Sequence, residues 1–293
     1  MTTNAILYHL VSGNAFFSGA ALVFVAMATA SSRRHGLQWI SRISLIVGVI
    51  LITFSVTPLP VTLYAVLFAA TSAWWFLRGR TNIAPAYRGL TLLAAVFAWS
   101  VAVVWEATYH VRPQVELIKD PVVGVIGDSL SAGISEQGPS TWPQYLADAR
   151  QITIWNQARA GATVATARDQ AATLPAEVNL LILEIGGNDL LGSTTAAEFE
   201  QGLEALLGDV HRPGRTVVMF ELPLLPFTHA YGRAQRRLCA KYQVLLVPKS
   251  MLLGVLLRDM TTIDSIHLSA AGHQLLAYEV WSGIGSAFYQ RQG

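Results

Sequence analysis

The sequence has 293 residues, enough for two structural units with a sizeable core. Charged residues make up only 13% of it, against roughly 25% in an average soluble domain. Residues 1–107 carry six arginines and one acid, whereas the remaining residues carry 14 basic and 17 acidic side chains. No basic patch interleaved with aromatic residues occurs in this second part, which argues against nucleic acid as a partner. The single cysteine, Cys239, excludes an internal disulfide.

Four apolar stretches dominate residues 1–107 and predict a four-helix transmembrane region. With its flanks, each approaches the ~20 residues that cross a hydrocarbon core of ~30 Å. The middle two are the shortest, and the link between them contains Pro58 and Pro60, so a re-entrant hairpin is the alternative for this pair. The first stretch is not typical of a signal peptide, because basic residues follow it instead of preceding it. The stretches are Ala5–Ala30, Ile43–Val56, Val61–Leu77 and Leu90–Trp105.

The arginines of this region predict its orientation. They fall in the loops after the first and third stretches, whereas the N-terminus and the proline-rich link carry no charge. Since positive residues mark cytoplasmic loops, we expect the N-terminus outside, and four spans return the chain to the outside at Glu106. The C-terminal domain is then expected to face the periplasm or the cell exterior. The six arginines are Arg33, Arg34, Arg42, Arg78, Arg80 and Arg88.

After a predicted linker at residues 108–120, short β-rich runs alternate with helical ones through residues 121–293. The β-rich runs are continuously apolar, as in parallel strands that are covered on both faces. The alternation predicts a doubly wound, three-layer α/β/α domain with a five-stranded parallel sheet, whose ligands bind at the carboxyl ends of the strands. The predicted strands are Val122–Ile126, Ile152–Trp155, Leu180–Ile185, Thr216–Phe220 and Val244–Val247. The predicted helices are Trp142–Arg150, Val164–Thr173, Ala196–Asp209, Ala230–Lys241, Lys249–Asp259 and a last one from Ser269 to about Gln290.

A serine follows the first predicted strand, in Gly127-Asp128-Ser129. The glycine permits a sharp turn, and a helical turn after it would aim backbone N–H groups at a developing oxyanion. Ser129 is therefore a candidate nucleophile. By itself the motif also fits an ordinary turn.

A candidate base lies near the end of the chain, in Asp264-Ser265-Ile266-His267. A serine hydroxyl needs a base to take its proton, and His267 can serve, with Asp264 holding the imidazole tautomer and orientation. The alternative is a surface loop followed by a helix that Ser269 caps.

Two further segments offer oxyanion donors. Asn188 follows the third predicted strand after Gly186 and Gly187, and its side chain carries N–H groups. Gly161 follows the second predicted strand and offers its backbone N–H. Turns between strands and helices favour the same residues, which is the alternative for both segments.

These elements follow the first, second, third and fifth predicted strands, so they converge on one edge of the sheet. In this order Ser129, Gly161, Asn188 and His267 resemble the four blocks of the SGNH hydrolases, also called GDSL esterases. The resemblance covers Val122–Tyr289 and is strongest to the bacterial periplasmic thioesterase–lysophospholipase branch, which lacks the N-terminal membrane region. It implies a flavodoxin-like fold, a catalytic triad, an oxyanion hole, and no cofactor or metal. The implied triad is Ser129, Asp264 and His267, and the oxyanion hole is formed by Ser129, Gly161 and Asn188.

The predicted protein is thus a membrane-anchored serine esterase of the lipase, lysophospholipase or thioesterase type, in a bacterial inner membrane with its catalytic domain outside. Its predicted substrate is an ester of a lipid or an acylated envelope component. One alternative is an O-acyltransferase or deacetylase acting on an envelope glycan or lipid. A second is a membrane scaffold whose hydrolase domain is vestigial. The oligomeric state stays open.

Other polar residues near these motifs are expected to be structural. Asp128 and Glu184 are interpreted as structural hydrogen-bonding groups, and His273 as a surface residue of the last helix. A basic stretch on one predicted helix is expected to face solvent: His229, Arg233, Arg236 and Arg237.

Overall fold

The apolar stretches of the first part of the chain fold into five helices. The computed structural model describes residues 2–32, 34–134, 140–264 and 266–289; Arg33 and Ser265 lie outside these ranges. The helices are α1 (Thr2–Val11), α2 (Asn14–Thr29), α3 (His35–Phe54), α4 (Val61–Leu77) and α5 (Pro85–Thr108).

Two of these helices, α3 with 20 residues and α5 with 24, are long and apolar enough to cross a membrane. The first predicted stretch is not one straight helix, because it breaks at Ser12–Gly13 and its two parts meet at 80°. If that bent pair is one span, the described residues contain three candidates. Helix α4 is apolar but has only 17 residues, fewer than the ~20 that cross a hydrocarbon core. The structure thus supports two to three candidate spans, fewer than the four predicted.

Helices α2 and α3 pack closely because each presents a glycine to the other. A Cβ on Gly19 would lie 2.7 Å from the carbonyl oxygen of Gly48, and one on Gly48 would lie 2.8 Å from that of Gly19. Only backbones without side chains can approach this closely. Phe16, Val23 and Trp99 belong to the buried core of these helices.

The chain divides into two units, each described here by itself. The helical unit contains Ala5–Thr108 together with Leu225–His229. The second unit contains chiefly Tyr109–Leu224 and the chain from Ala230 onward. The five-residue segment Leu225–His229 therefore folds with the helices, although in sequence it interrupts the second unit.

The second unit is built on a single parallel sheet with the strand order β2-β1-β3-β4-β5. This is the flavodoxin-like order, and it confirms the predicted five-stranded parallel sheet. All residues of β1 and β3 are buried, as their continuously apolar sequences predict. The strands are β1 (Val123–Gly127), β2 (Ile154–Asn156), β3 (Leu180–Glu184), β4 (Thr216–Phe220) and β5 (Leu245–Val247).

Within the described residues, eight helices connect or follow the strands of this sheet. Those predicted from the apolar pattern are confirmed within a few residues at their ends. Two further helices, α6 and α9, are single turns at the carboxyl ends of β1 and β3. The helices are α6 (Ser129–Ala132), α7 (Trp142–Arg150), α8 (Ala167–Ala172), α9 (Gly187–Leu191), α10 (Ala196–Val210), α11 (His229–Lys241), α12 (Lys249–Leu256) and α13 (Ala270–Ile284), and a 3₁₀ turn, Gly285–Ala287, follows.

Side chains that alternate along the strands bury two faces. On one face Val125, Ile182 and Val218 share a core with α7, α12 and α13. On the other face Met219 meets Cys239 of α11, with 3.9 Å between their sulfur atoms. Cys239 is buried.

The segment predicted as a linker is packed against the second unit. It has neither helix nor strand, but Val115 is buried and its carbonyl accepts the hydroxyl of Ser286 at 2.7 Å. Ile118 N–H donates to the carbonyl of Ala287, and Arg112 pairs with Glu279 at 2.7 Å. The segment is thus an extended arm along the C-terminal end of the unit.

Candidate active site

The turn between β1 and α6 holds Ser129 as the first residue of a helical turn. Asp128 caps α6, because its Oδ1 accepts the N–H of Leu130 at 3.0 Å. A Cβ on Gly127 would come within 2.9 Å of the carbonyl oxygen of Glu184, so only glycine allows the strands to approach here. The result is a half-buried serine at the carboxyl end of the strand, as predicted.

Asp264 and His267 form a hydrogen-bonded pair on the loop before α13. Asp264 Oδ2 lies 2.7 Å from His267 Nδ1, and Oδ1 accepts the backbone N–H groups of His267 at 2.8 Å and Ile266 at 3.2 Å. These backbone and side-chain hydrogen bonds lower the pKa of the Asp264 carboxyl to about 2. An ionised carboxylate on Nδ1 leaves Nε2 of the imidazole as the nitrogen that can act as a base.

Burial raises the pKa of Asp128, the neighbour of Ser129, although hydrogen bonding and the charge of His267 oppose this rise. Ser129 and His267 both lie within the described chain, and no hydrogen bond joins them. Hydrogen bonds between catalytic groups often tighten only when substrate is bound.

Asn188 and Gly161 lie on the segments that follow β3 and β2. Asn188 Nδ2 donates to the carbonyl of Ala162, the residue after Gly161, at 2.9 Å. It also donates to Asp128 Oδ2 at 3.4 Å. These bonds tie the predicted oxyanion donor to the Gly161 segment and to the Ser129 turn. Gly161 is exposed and has a φ of +77°, in the left-handed region.

Two buried carboxyl groups lie directly behind the nucleophile turn. The side chain of Glu184 accepts the hydroxyl of Ser131 at 2.9 Å, and its backbone carbonyl accepts the N–H of Asp128 at 3.1 Å. Burial and, next, the charge of Asp128 hold the pKa of Glu184 well above its ordinary value. Both carboxyls thus have structural partners, as the sequence predicted, but the sequence did not indicate that burial would raise the pKa of each.

Two sequence interpretations near the site are wrong. His273 is only 2% exposed, and its Nδ1 accepts the N–H of Trp142 at 3.3 Å, so it is not a surface residue. Arg236 is also buried and forms an ion pair with Glu221 at 2.7 Å, and its guanidinium lies 3.7 Å from the ring centre of Tyr109. Both polar groups are held inside because each has a hydrogen-bonding partner there.

Comparison with known proteins shows the family to which the chain belongs. The model of the GDSL-like lipase/acylhydrolase family matches residues 125–275, more than half of the chain. The chain belongs to this family. The GDSL enzymes are serine hydrolases that act on ester bonds, and the protein is an enzyme of that class.

Three relatives illustrate the similarity. Esterase TesA of Pseudomonas aeruginosa is 28% identical over 170 residues, which are 54% of this chain and 84% of that protein. The thioesterase 1/protease 1/lysophospholipase L1 of Escherichia coli is 27% identical over 155 residues, 49% of this chain and 73% of that protein. The crystal structure of the psychrotrophic esterase EstA from Pseudoalteromonas sp. matches 56% of this chain and 96% of its own, with 21% identity and a TM-score of 0.49.

Proposed function

We propose that the protein is a membrane-anchored serine esterase that hydrolyses carboxylic esters through an acyl-serine intermediate on Ser129. The observation that carries this proposal is the Asp264–His267 hydrogen bond of 2.7 Å on the loop before α13. A serine hydroxyl becomes a nucleophile when an imidazole takes its proton, and a carboxylate on the far nitrogen keeps that imidazole in the correct tautomer.

In the acylation step, Ser129 Oγ attacks the ester carbonyl carbon while its proton moves to His267 Nε2. The tetrahedral intermediate then collapses, the bond to the alcohol oxygen breaks, and His267 returns the proton to that oxygen. In the deacylation step, His267 takes a proton from water as the water oxygen attacks the acyl carbon; the bond to Ser129 Oγ then breaks, His267 returns the proton to Oγ, and the acid leaves. Asp264 stays ionised throughout, which fits its low pKa.

Three hydrogen-bond donors are proposed to stabilise the negative charge on the oxygen of the tetrahedral intermediate. Ser129 opens α6, so its backbone N–H is at a helix N-terminus. Asn188 Nδ2 is held firmly by Ala162 at 2.9 Å but only weakly by Asp128 at 3.4 Å, which leaves its second hydrogen for the oxyanion. The exposed Gly161 supplies the third N–H in this proposal. Losing one such donor costs on the order of 10²–10³ in rate.

The helical unit is proposed to anchor the enzyme in a bacterial inner membrane with the catalytic unit on the periplasmic side. Helices α3 and α5 are the best-supported spans. The arginines lie before these helices or near their N-terminal ends: Arg42 and Arg88 fall within α3 and α5, not in the loops that the sequence predicted. Since positive residues mark the cytoplasmic side, the C-terminal end of α5, from which the chain continues into the second unit, is external in this proposal.

The relatives' names suggest an acyl ester or thioester as the substrate class, and the anchor favours an amphiphilic one. The test is hydrolysis of p-nitrophenyl esters of increasing acyl length by the full chain in detergent, with Ser129→Ala as the matched variant. We expect hydrolysis by the wild type and none above background by the variant. Equal hydrolysis by both purified proteins would refute the proposal.

A further inference from the structure

The connection between β4 and α11 leaves the second unit for five residues and folds with the helices. His229 Nε2 lies 2.8 Å from the carbonyl of Ser55, and its ring lies edge-on to Tyr64 at 6.5 Å between centroids. Phe227 meets Phe54 edge-on at 6.1 Å. These contacts attach the segment to the C-terminal end of α3 and the beginning of α4.

The segment turns sharply, and the turn points its apolar side chains outward. Thr228 Oγ1 accepts the N–H of Leu225 at 3.1 Å and donates to its carbonyl at 2.7 Å. Phe227 is held at a φ of +70°, a left-handed conformation that aromatic residues rarely adopt. As a result Phe227 is 72% exposed and Leu225 is 44% exposed. A strained backbone that exposes an aromatic ring is expected where the ring has a binding partner.

The position of Phe227 indicates what that partner is. Phe54 is the last residue of α3, one of the two best candidate spans, and is itself exposed. Phe227 packs against this residue, so it lies where the span ends. Aromatic and apolar side chains at the end of a span lie in the interfacial layer of a bilayer. The neighbouring link Ser55–Pro60 carries no charge that would oppose this placement.

We propose that Leu225–His229 is a membrane-interface anchor, in which Phe227 and Leu225 insert into the headgroup region of the bilayer that α3 crosses. An anchor in the headgroup region holds the enzyme at the bilayer surface and therefore favours substrates whose ester lies there, such as acyl esters of amphiphilic lipids. This implication rests on the proposed esterase function.

The direct test uses single-site fluorescent labelling of the full chain in phosphatidylcholine–phosphatidylglycerol vesicles. The native Cys239 is buried and burial raises its thiol pKa to about 12, so a maleimide reports on an introduced cysteine. Phe227→Cys carries an environment-sensitive dye, and Met260→Cys is the matched control. Met260 is also apolar, exposed (85%) and left-handed (φ +67°), but it lies in the second unit.

We expect quenching of the dye at residue 227, and not at residue 260, by lipids that carry a nitroxide in the headgroup region. Equal, weak quenching at both positions would overturn the anchor. Energy transfer between differently labelled copies at residue 227, without lipid quenching, would also overturn it, since the patch would then be a contact between two chains. Neither readout depends on catalysis, so failure of the proposed esterase function would be recognised separately.

A second measurement tests the implied substrate class with Phe227→Asn, since asparagine tolerates the left-handed conformation. Hydrolysis of a vesicle-borne lysophospholipid should fall roughly tenfold, within the range that burying one Phe side chain gives. Hydrolysis of a water-soluble aryl ester should not change, and Phe227→Trp should restore the vesicle activity. An equal loss on both substrates, or no loss on vesicles, would contradict the implied substrate class.

Discussion

Asp264 Oδ2 and His267 Nδ1 are 2.7 Å apart, and the same carboxylate accepts the backbone N–H of His267. The aspartate therefore holds both the ring and the backbone of the histidine in one orientation. Because these bonds lower the pKa of Asp264 to about 2, the carboxylate is charged at every pH at which the enzyme is expected to work.

Replacing this carboxylate should impair the chemical step. Asp264→Asn offers Nδ1 an amide and disturbs the tautomer, so kcat should fall by about 10²–10⁴-fold. Steady-state kinetics with a water-soluble ester measure the loss. A variant with wild-type kcat would show that Asp264 has another role.

Asn188→Ala should lower kcat by about 10²–10³-fold with little change in KM, because the oxyanion exists only in the transition state and intermediate. Asn156 provides a matched control, since its Nδ2 donates to the carbonyl of Ser131 and it has no proposed contact with substrate. Asn156→Ala should change kcat much less. An equal loss in the two variants would indicate that Asn188 matters for local structure alone.

The buried Glu184 predicts a pH-dependent difference in stability. Its pKa is raised in the fold, so the folded protein retains a proton that the unfolded chain releases near pH 4.3. The free energy of unfolding therefore falls as the pH rises above that value, and the decline ends when the pH passes the raised pKa.

Glu184→Gln removes this titration. The melting temperature of the variant minus that of the wild type should therefore increase as the pH rises from 5 to 8. The slope of the difference is at most about 1.4 kcal/mol for each pH unit. Thermal unfolding of the full chain in detergent at several pH values measures it. The exposed Glu177→Gln is the control and should run parallel to the wild type. Parallel curves for Glu184→Gln would mean that Glu184 is ionised in the fold.

The proposed orientation predicts which exposed positions react with a membrane-impermeant maleimide. Asn82, in the turn between α4 and α5, should be protected in intact spheroplasts when replaced by cysteine, and should react after lysis. Glu177→Cys, on the surface of the second unit, should react before lysis. The reverse pattern would place the catalytic unit in the cytoplasm.

The sequence predicted the parallel sheet well, because strands covered on both faces must be continuously apolar and β1 and β3 are fully buried. It also indicated Ser129 and the Asp264–His267 pair, since the carboxyl ends of parallel strands share one edge. It anticipated the helical turn after the Ser129 motif but missed α9, a short turn that depends on tertiary contacts instead of on a repeating apolar pattern.

Buried polar residues were the main error of prediction. His273 and Arg236 lie on helices where the sequence pattern favours solvent, but Trp142 and Glu221 supply partners that are distant in the chain. The sequence also did not predict that Leu225–His229 folds with the helices. Its contacts with Ser55 and Tyr64 join residues more than 150 positions apart in the chain. The break at Ser12–Gly13 falls at Ser12-Gly13-Asn14, a turn-type sequence inside the first apolar stretch that the prediction of one continuous span did not use.

The central claim is that Ser129 becomes covalently modified during turnover. The most direct measurement is peptide mass spectrometry of the full chain after reaction with a fluorophosphonate, which transfers its phosphonyl group to an activated serine. We predict a single adduct on the peptide that contains Ser129, no adduct in Ser129→Ala, and slow labelling in His267→Ala. An adduct on another serine, or undiminished labelling of Ser129→Ala, would contradict the claim.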